Sequence, residues 1–262
     1  MTTSERWSDL STRLLTGGLL AAGGALAIVL GGSVFVLVIA LTAGILVWEL
    51  TLMVAPEVKN RSVIFALLSA LAVAMATDFD REWAIGLALL PAILGLLTLG
   101  MRRWLFFAFA LAIQGAAYEL VVFRDAFGVK WLLWLLLVVI ATDICGYFAG
   151  RIIGGPKFWP KVSPKKTWAG IIAGWAGAAA VGLVFILITG AGPIVMILSV
   201  ALSFASQMGD AAESALKRYV GVKDSSDILP GHGGVFDRFD GVLGASILML
   251  LIAQVTTTPG LI

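Results

Sequence analysis

The segment Lys217-Arg218-Tyr-Val-Gly-Val-Lys223-Asp224-Ser-Ser-Asp-Ile-Leu-Pro230-Gly231-His232-Gly233-Gly234-Val-Phe-Asp237-Arg238-Phe-Asp240 holds the densest chemistry in the chain. Lys217, Arg218, Lys223 and Arg238 offer cations to phosphate oxygens. Asp224, Asp237 and Asp240 offer hard oxygen ligands to a cation such as Mg²⁺. The Pro-Gly-His-Gly-Gly run lets the backbone turn tightly and approach a ligand closely. An anion site alone needs no carboxylates, and a lone cation site does not want four basic residues. Both in one loop point to a metal–polyphosphate site.

A second basic loop runs from Arg151 to Thr167. Its end, Ser163-Pro164-Lys165-Lys166-Thr167, directly precedes an apolar run. Hydroxyls, two ammonium groups and the free N–H groups of a helix start suit a phosphate. Acids also occur within or beside apolar runs: Glu49, Glu119, Asp143, Asp210 and Glu213. Each costs about 2.5–3.5 kcal/mol at the centre of a membrane helix, so such acids turn inward and find partners. Asp143, Tyr147 and Arg151 share one helix face. Ser206, Asp210, Glu213, Ser214 and Lys217 form another, on which two carboxylates hold a cation or pair with the bases below. Glu49 and Glu119 have no comparable company and read as structural or interfacial.

The elements that must position these groups are membrane helices. Of 262 residues, 60% are hydrophobic and 13% charged, against roughly 25% charged in a soluble domain. The expected fold is an all-α, polytopic transmembrane protein. Nine spans are expected, at 14–30, 33–55, 62–78, 83–100, 103–123, 131–150, 168–189, 192–216 and 239–256. Gly31-Gly32-Ser33 is the expected break between the first two. Trp7, Leu10 and Leu14 recur at helical spacing and predict a short interfacial helix ahead of the first span. With nine spans, fifteen of the eighteen Lys and Arg residues fall on the side of the N-terminus. The positive-inside rule makes that side cytoplasmic and places Thr256–Ile262 outside. Residues 1–130 read as scaffold, and 131–262 as a catalytic region with cytoplasmic loops 151–167 and 217–238. Trp48, Trp83, Trp104, Trp131, Trp134 and Trp168 fit an interfacial belt. Gly170 and Gly174 form a GxxxG pair suited to close helix packing. No cleaved signal is apparent at the N-terminus, which suits a bacterial plasma membrane.

Several classes are excluded by pattern. One Cys and one His leave no disulfide framework and no zinc cluster, and Cys145 reads as a packing residue. There is no P-loop and no GxGxxG. Neither the aspartate pattern of CDP-alcohol transferases nor a Ser-His-Asp arrangement is present. Nothing implies a nucleic-acid partner.

From Ser214 to Asp240 the chain reads S-x-L-K-R, four residues, K-D, then P-x-H-G-G-x-x-D-R-x-D, over 27 residues without a gap. This resembles the signature of the phosphatidate cytidylyltransferases, or CDP-diacylglycerol synthases. Gly209-Asp210, Glu213, the Asp143 face and Ser163–Thr167 resemble the family as well. Ala169 departs from it, standing where the family usually has Glu. The resemblance implies transfer of the cytidylyl group of CTP to phosphatidate, with Asp210 and Asp237 as metal ligands for Mg²⁺ and K⁺ as a second ion. It implies catalytic roles for Lys217, Arg218, Lys223 and Asp224. Ser163, Lys165, Lys166, Thr167, Asp143, Glu213, Ser214, His232, Gly233, Gly234 and Arg238 are the expected substrate-binding residues. A homodimer in the cell membrane, with its site facing the cytoplasm, is also implied. The alternatives are a CTP-dependent polyprenol or phytol kinase and an ion or lipid transporter.

Overall fold

The computed structural model describes residues 3–79, 81–231 and 233–255, with backbone alone for 3–16, 81–82 and 254–255. His232, the tail 256–262 and the side chains of Trp7, Leu10 and Leu14 lie outside the described residues. The helices are α1 (Thr3–Leu30), α2 (Gly32–Val54), α3 (Lys59–Ala76), α4 (Arg81–Thr98), α5 (Arg103–Phe127), α6 (Val129–Ile152), α7 (Trp168–Thr189), α8 (Ile194–Val220) and α9 (Phe236–Val255). A 3₁₀ turn, Pro56–Val58, leads into α3.

Among the described residues, six helical segments are long and apolar enough to cross a bilayer: Gly32–Val54, Pro56–Ala76, Arg103–Phe127, Val129–Ile152, Trp168–Thr189 and Ile194–Val220. This is a membrane protein. The apolar stretches of α1 and α4 are shorter, Gly17–Leu30 and Trp83–Thr98. The break at Gly31 and Gly32 is present, with φ of 62° and 49°, a conformation only glycine adopts freely. The interfacial helix expected ahead of the first span is not separate, because α1 runs unbroken from Thr3 to Leu30.

The chain divides into two compact units. The first comprises Met1–Ala126 and Val220–Arg238. In it α2 packs along α3, and α3 along α4. Gly44 permits the first contact, since a Cβ there would lie 2.9 Å from the carbonyl oxygen of Ala66. The Arg124 guanidinium donates to the carbonyl of Ile28 at the end of α1, where the helix dipole favours a cation.

The second unit comprises Phe127–Tyr219 and Phe239–Ile262. Here α6 packs closely on α7. A Cβ on Gly170 would meet the Gly146 carbonyl oxygen at 2.7 Å, and one on Gly177 would meet Cys145 Sγ at 2.6 Å. Cys145 is thus a packing residue, and the GxxxG pair marks a close contact. A buried polar row on α8 ties it to both neighbours. Ser199 accepts from Trp134 Nε1 at 3.0 Å, Ser203 lies 2.8 Å from Thr142, and Gln207 bonds Trp175 and the Ile171 carbonyl. Trp134 is therefore not part of an interfacial belt. It is 1% exposed, because its indole N–H finds an acceptor inside the bundle. Trp83 and Trp104 are exposed, as the belt requires.

The basic segment after α6 was expected as a loop and is instead an antiparallel hairpin. Its strands are β1 (Lys157–Trp159) and β2 (Ser163–Thr167), with Lys157 opposite Thr167 and Trp159 opposite Ser163. Among the described residues the fold is all-α apart from this ribbon.

Candidate active site

In the first unit, the segment Val220–Arg238 folds around two carboxylates. Asp237 Oδ2 accepts from Gly234 N at 2.8 Å and Ser225 N at 2.9 Å, with Ser225 Oγ 3.0 Å away. Two points nine residues apart are thereby pinned to one oxygen. Between them, Leu229 N donates to the Gly233 carbonyl at 2.9 Å. Gly231 and Gly233 take φ of 75° and 80°, so the turn depends on residues without a Cβ. Gly234 is buried, and a Cβ there would collide with Ser225 Oγ and the Glu49 carboxyl group.

The second carboxylate is Glu49 of α2, which is fully buried. Its Oε1 accepts from Val235 N at 2.9 Å and from Ser226 Oγ. Its Oε2 accepts from Phe236 N at 2.7 Å, with Ser225 Oγ at 3.2 Å. Val235 N and Phe236 N are N–H groups at the start of α9, which no turn of that helix can satisfy. Glu49 caps them from a distant helix. Ser225 Oγ stands between both carboxylates, and its single proton serves one at a time.

In the second unit, Asp210 of α8 pairs with Lys166 of β2 at 2.7 Å and accepts from Ser214 Oγ at 3.3 Å. Asp143 and Asp240 lie within electrostatic reach of the same cluster. The approach of Asp240 depends on Gly209, where a Cβ would run into the Asp240 carbonyl oxygen and Gly244 Cα. Lys217 pairs with the buried Glu213 one turn away, at 2.7 Å. Lys165 is exposed, whereas Lys166 is half-buried by its pairing with Asp210. Thr167 Oγ1 accepts from Gly170 N at 3.2 Å and so caps α7. Arg151 donates to the Tyr147 hydroxyl at 2.8 Å. Among the described residues, no three or more His, Cys, Asp or Glu side chains gather into a ready-made metal cluster.

These features sit in a chain that a model of the cytidylyltransferase family matches over residues 11–256. The chain belongs to the cytidylyltransferase family. It is similar to the phosphatidate cytidylyltransferases of Brucella suis biovar 1 and Brucella abortus biovar 1, 47% identical to each over 137 residues. Those matches cover 52% of this chain and 51% of the relatives, so the chain spans about half the length of these curated relatives. It is also 32% identical to the phosphatidate cytidylyltransferase of Staphylococcus haemolyticus over 242 residues, 87% of this chain and 93% of the relative.

Within this member of the family, the sequence-derived candidates fall into two groups. Lys223, Asp224, Gly233, Gly234, Asp237 and Arg238 belong to the loop of the first unit. Asp143, Ser163, Lys165, Lys166, Thr167, Asp210, Glu213, Ser214, Lys217 and Arg218 belong to the second unit. Lys223, Asp224, Arg218 and Arg238 are exposed, as are Asp143 and Lys165. Glu49 is the functional candidate that sequence reasoning missed. Glu49 and Glu119 are both buried, which fits the structural reading of each. One signal pointed to Glu49: an acid in an apolar helix demands donors. Nothing local identified donors about 180 residues away.

Proposed function

We propose that the chain transfers the cytidylyl group of CTP to phosphatidate, giving CDP-diacylglycerol and pyrophosphate. The reading is carried by one observation. Within the Ser214–Asp240 signature, the described part of the segment Val220–Arg238 is organised by the carboxylates of Asp237 and Glu49 and carries the exposed Lys223 and Arg238. The named activity of the relatives supports it.

In the reaction, a phosphatidate oxygen attacks the α-phosphorus of CTP in line, and pyrophosphate leaves. No general base is required, since phosphatidate arrives ionised. Two anions must meet, so the protein has to neutralise them. We assign Lys217, Arg218, Lys223 and Arg238 to phosphates of CTP or phosphatidate. Ser163, Lys165 and Lys166 form a second phosphate group. Lys166 can exchange its carboxylate partner Asp210 for a phosphate oxygen. His232 donates to a phosphate or orients the glycine turn. The residues suit Mg²⁺, because carboxylates are its preferred protein ligands, and one or two of them suffice when phosphates and water complete the shell. We assign Asp210 and Asp237 to it, with K⁺ as a second ion. Bound Mg²⁺ would neutralise phosphate charge and favour departure of pyrophosphate.

We further propose nine spans, a cytoplasmic N-terminus and a site at the cytoplasmic face of the cell membrane. The lopsided distribution of Lys and Arg supports this orientation. Soluble CTP and membrane-held phosphatidate can both reach such a site. A homodimer follows from the family resemblance.

The test uses purified protein in detergent with phosphatidate, Mg²⁺ and CTP labelled at the α-phosphate. Label entering the lipid supports cytidylyl transfer. Label that enters an added prenol only from γ-labelled CTP would replace it with a kinase. No transfer from either position would favour a transporter.

A further inference from the structure

We propose that Glu49, in the C-terminal part of α2, is a positioning residue that sets the geometry of Asp237. The inference rests on the cytidylyl-transfer reading for its kinetic consequences, but not for its structural ones.

Burying a carboxylate costs several kcal/mol unless hydrogen bonds compensate it. Glu49 is 0% exposed, and the groups around it that bond it are all donors: two backbone N–H groups and two serine hydroxyls. All four belong to the signature loop and the start of α9. Val235 and Phe236 immediately precede Asp237 in sequence. Holding their N–H groups fixes the direction in which α9 begins, and therefore where the Asp237 side chain leaves the backbone. Ser225 supplies a second link, lying against Glu49 Oε2 and Asp237 Oδ2 together. Gly234 supplies a third. Its lack of a Cβ lets the loop close over Glu49 while its N–H reaches Asp237. Glu49 acts on the reaction through Asp237 and touches no substrate.

The experiment uses the full chain in detergent and three variants, Glu49→Gln, Glu49→Asp and Ser226→Ala. Glu49→Gln keeps the size but points an amide N–H₂ at groups that are themselves donors. Two readouts are taken. The first is the Mg²⁺ concentration for half-maximal lipid labelling, together with kcat and the KM for CTP. The second is the rate of tryptic cleavage at Lys223 relative to Lys161, which lies outside the loop and serves as the internal reference. Loss of an outer residue that orients a metal ligand typically costs about 10–100-fold. The expected result for Glu49→Gln is a kcat decrease of that size, a several-fold higher Mg²⁺ requirement, a smaller change in KM for CTP and faster cutting at Lys223. Glu49→Asp should fall between wild type and Glu49→Gln in both readouts. Unchanged Mg²⁺ dependence with an unchanged Lys223-to-Lys161 ratio would overturn the proposal, even if thermal stability fell. If Glu49→Gln does not fold, Glu49→Asp decides, because it keeps the charge but draws the carboxylate back from its four donors, with Ser226→Ala as a second check that also removes the acceptor of Ile228 N. A several-fold rise in relative Lys223 cutting is expected, and no rise overturns the proposal. If wild-type protein transfers no label, the cytidylyl reading fails by itself, while the cleavage ratio still decides whether Glu49 anchors the loop.

Discussion

The Val220–Arg238 loop is closed onto itself by Asp237 and onto α2 by Glu49, so its polar centre is buried and internally bonded. The Lys157–Thr167 hairpin is also basic, but a two-strand ribbon and the Lys166–Asp210 ion pair hold it, and Lys157, Lys161 and Lys165 stand exposed. One segment spends its carboxylates on shaping backbone. The other presents long flexible cations on a short frame. On the proposed function this becomes a division of labour, in which the loop would present preorganised groups, where electrostatic catalysis gains most, and the hairpin lysines would follow a phosphate as it moves.

The comparison predicts unequal damage. Asp237→Ala should do the most, because it removes a proposed metal ligand and the pin for Ser225 and Gly234 at once. A fall of about 10³-fold or more in kcat is expected, read by α-label transfer to lipid. Gly234→Ala comes next. Its Cβ must displace Ser225 or Glu49, at a cost of about 1–3 kcal/mol. Activity should fall by about 10²-fold, with faster proteolysis at Lys223. A Gly234→Ala enzyme with wild-type kinetics would break the claim that the loop is rigidly shaped. Lys166→Ala should lower kcat/KM for CTP by about 10-fold or more. It removes a charge-assisted bond worth roughly 1.5–3 kcal/mol from a half-buried pair, discounted for its partial exposure to solvent. Lys165→Ala, on the outward face of β2, should raise KM only a few-fold, in a salt-dependent way. Equal effects at Lys165 and Lys166 would show that the pairing with Asp210 does not set the two lysines apart.

Much of this architecture was legible in the sequence. Spans are readable because lipid forces backbone bonds to be satisfied within each helix. The break at Gly31 and Gly32 was readable from glycine alone. The Asp210, Glu213, Ser214 and Lys217 face followed from helical spacing, and the Lys217–Glu213 pair realises it. The family signature of Ser214–Asp240 was visible because its groups are nearly consecutive, and the family match agrees with it. What stayed hidden depends on partners remote in sequence. Trp134 looked interfacial until Ser199, 65 residues on, supplied its acceptor. Glu49 looked isolated because its donors lie beyond residue 224. The hairpin was missed because three Pro and five basic residues in 151–167 obscure any alternation.

The most direct test of the contrast is amide hydrogen exchange on the full-length protein in lipid nanodiscs, without substrate. The account predicts that the amides of Ser225, Gly234, Val235 and Phe236 exchange at least about tenfold more slowly than that of Lys161 in the hairpin turn, and that Glu49→Gln erases the difference for Val235 and Phe236. Equal exchange in the two segments of the wild-type protein would contradict it, because the carboxylates would then not be holding the loop.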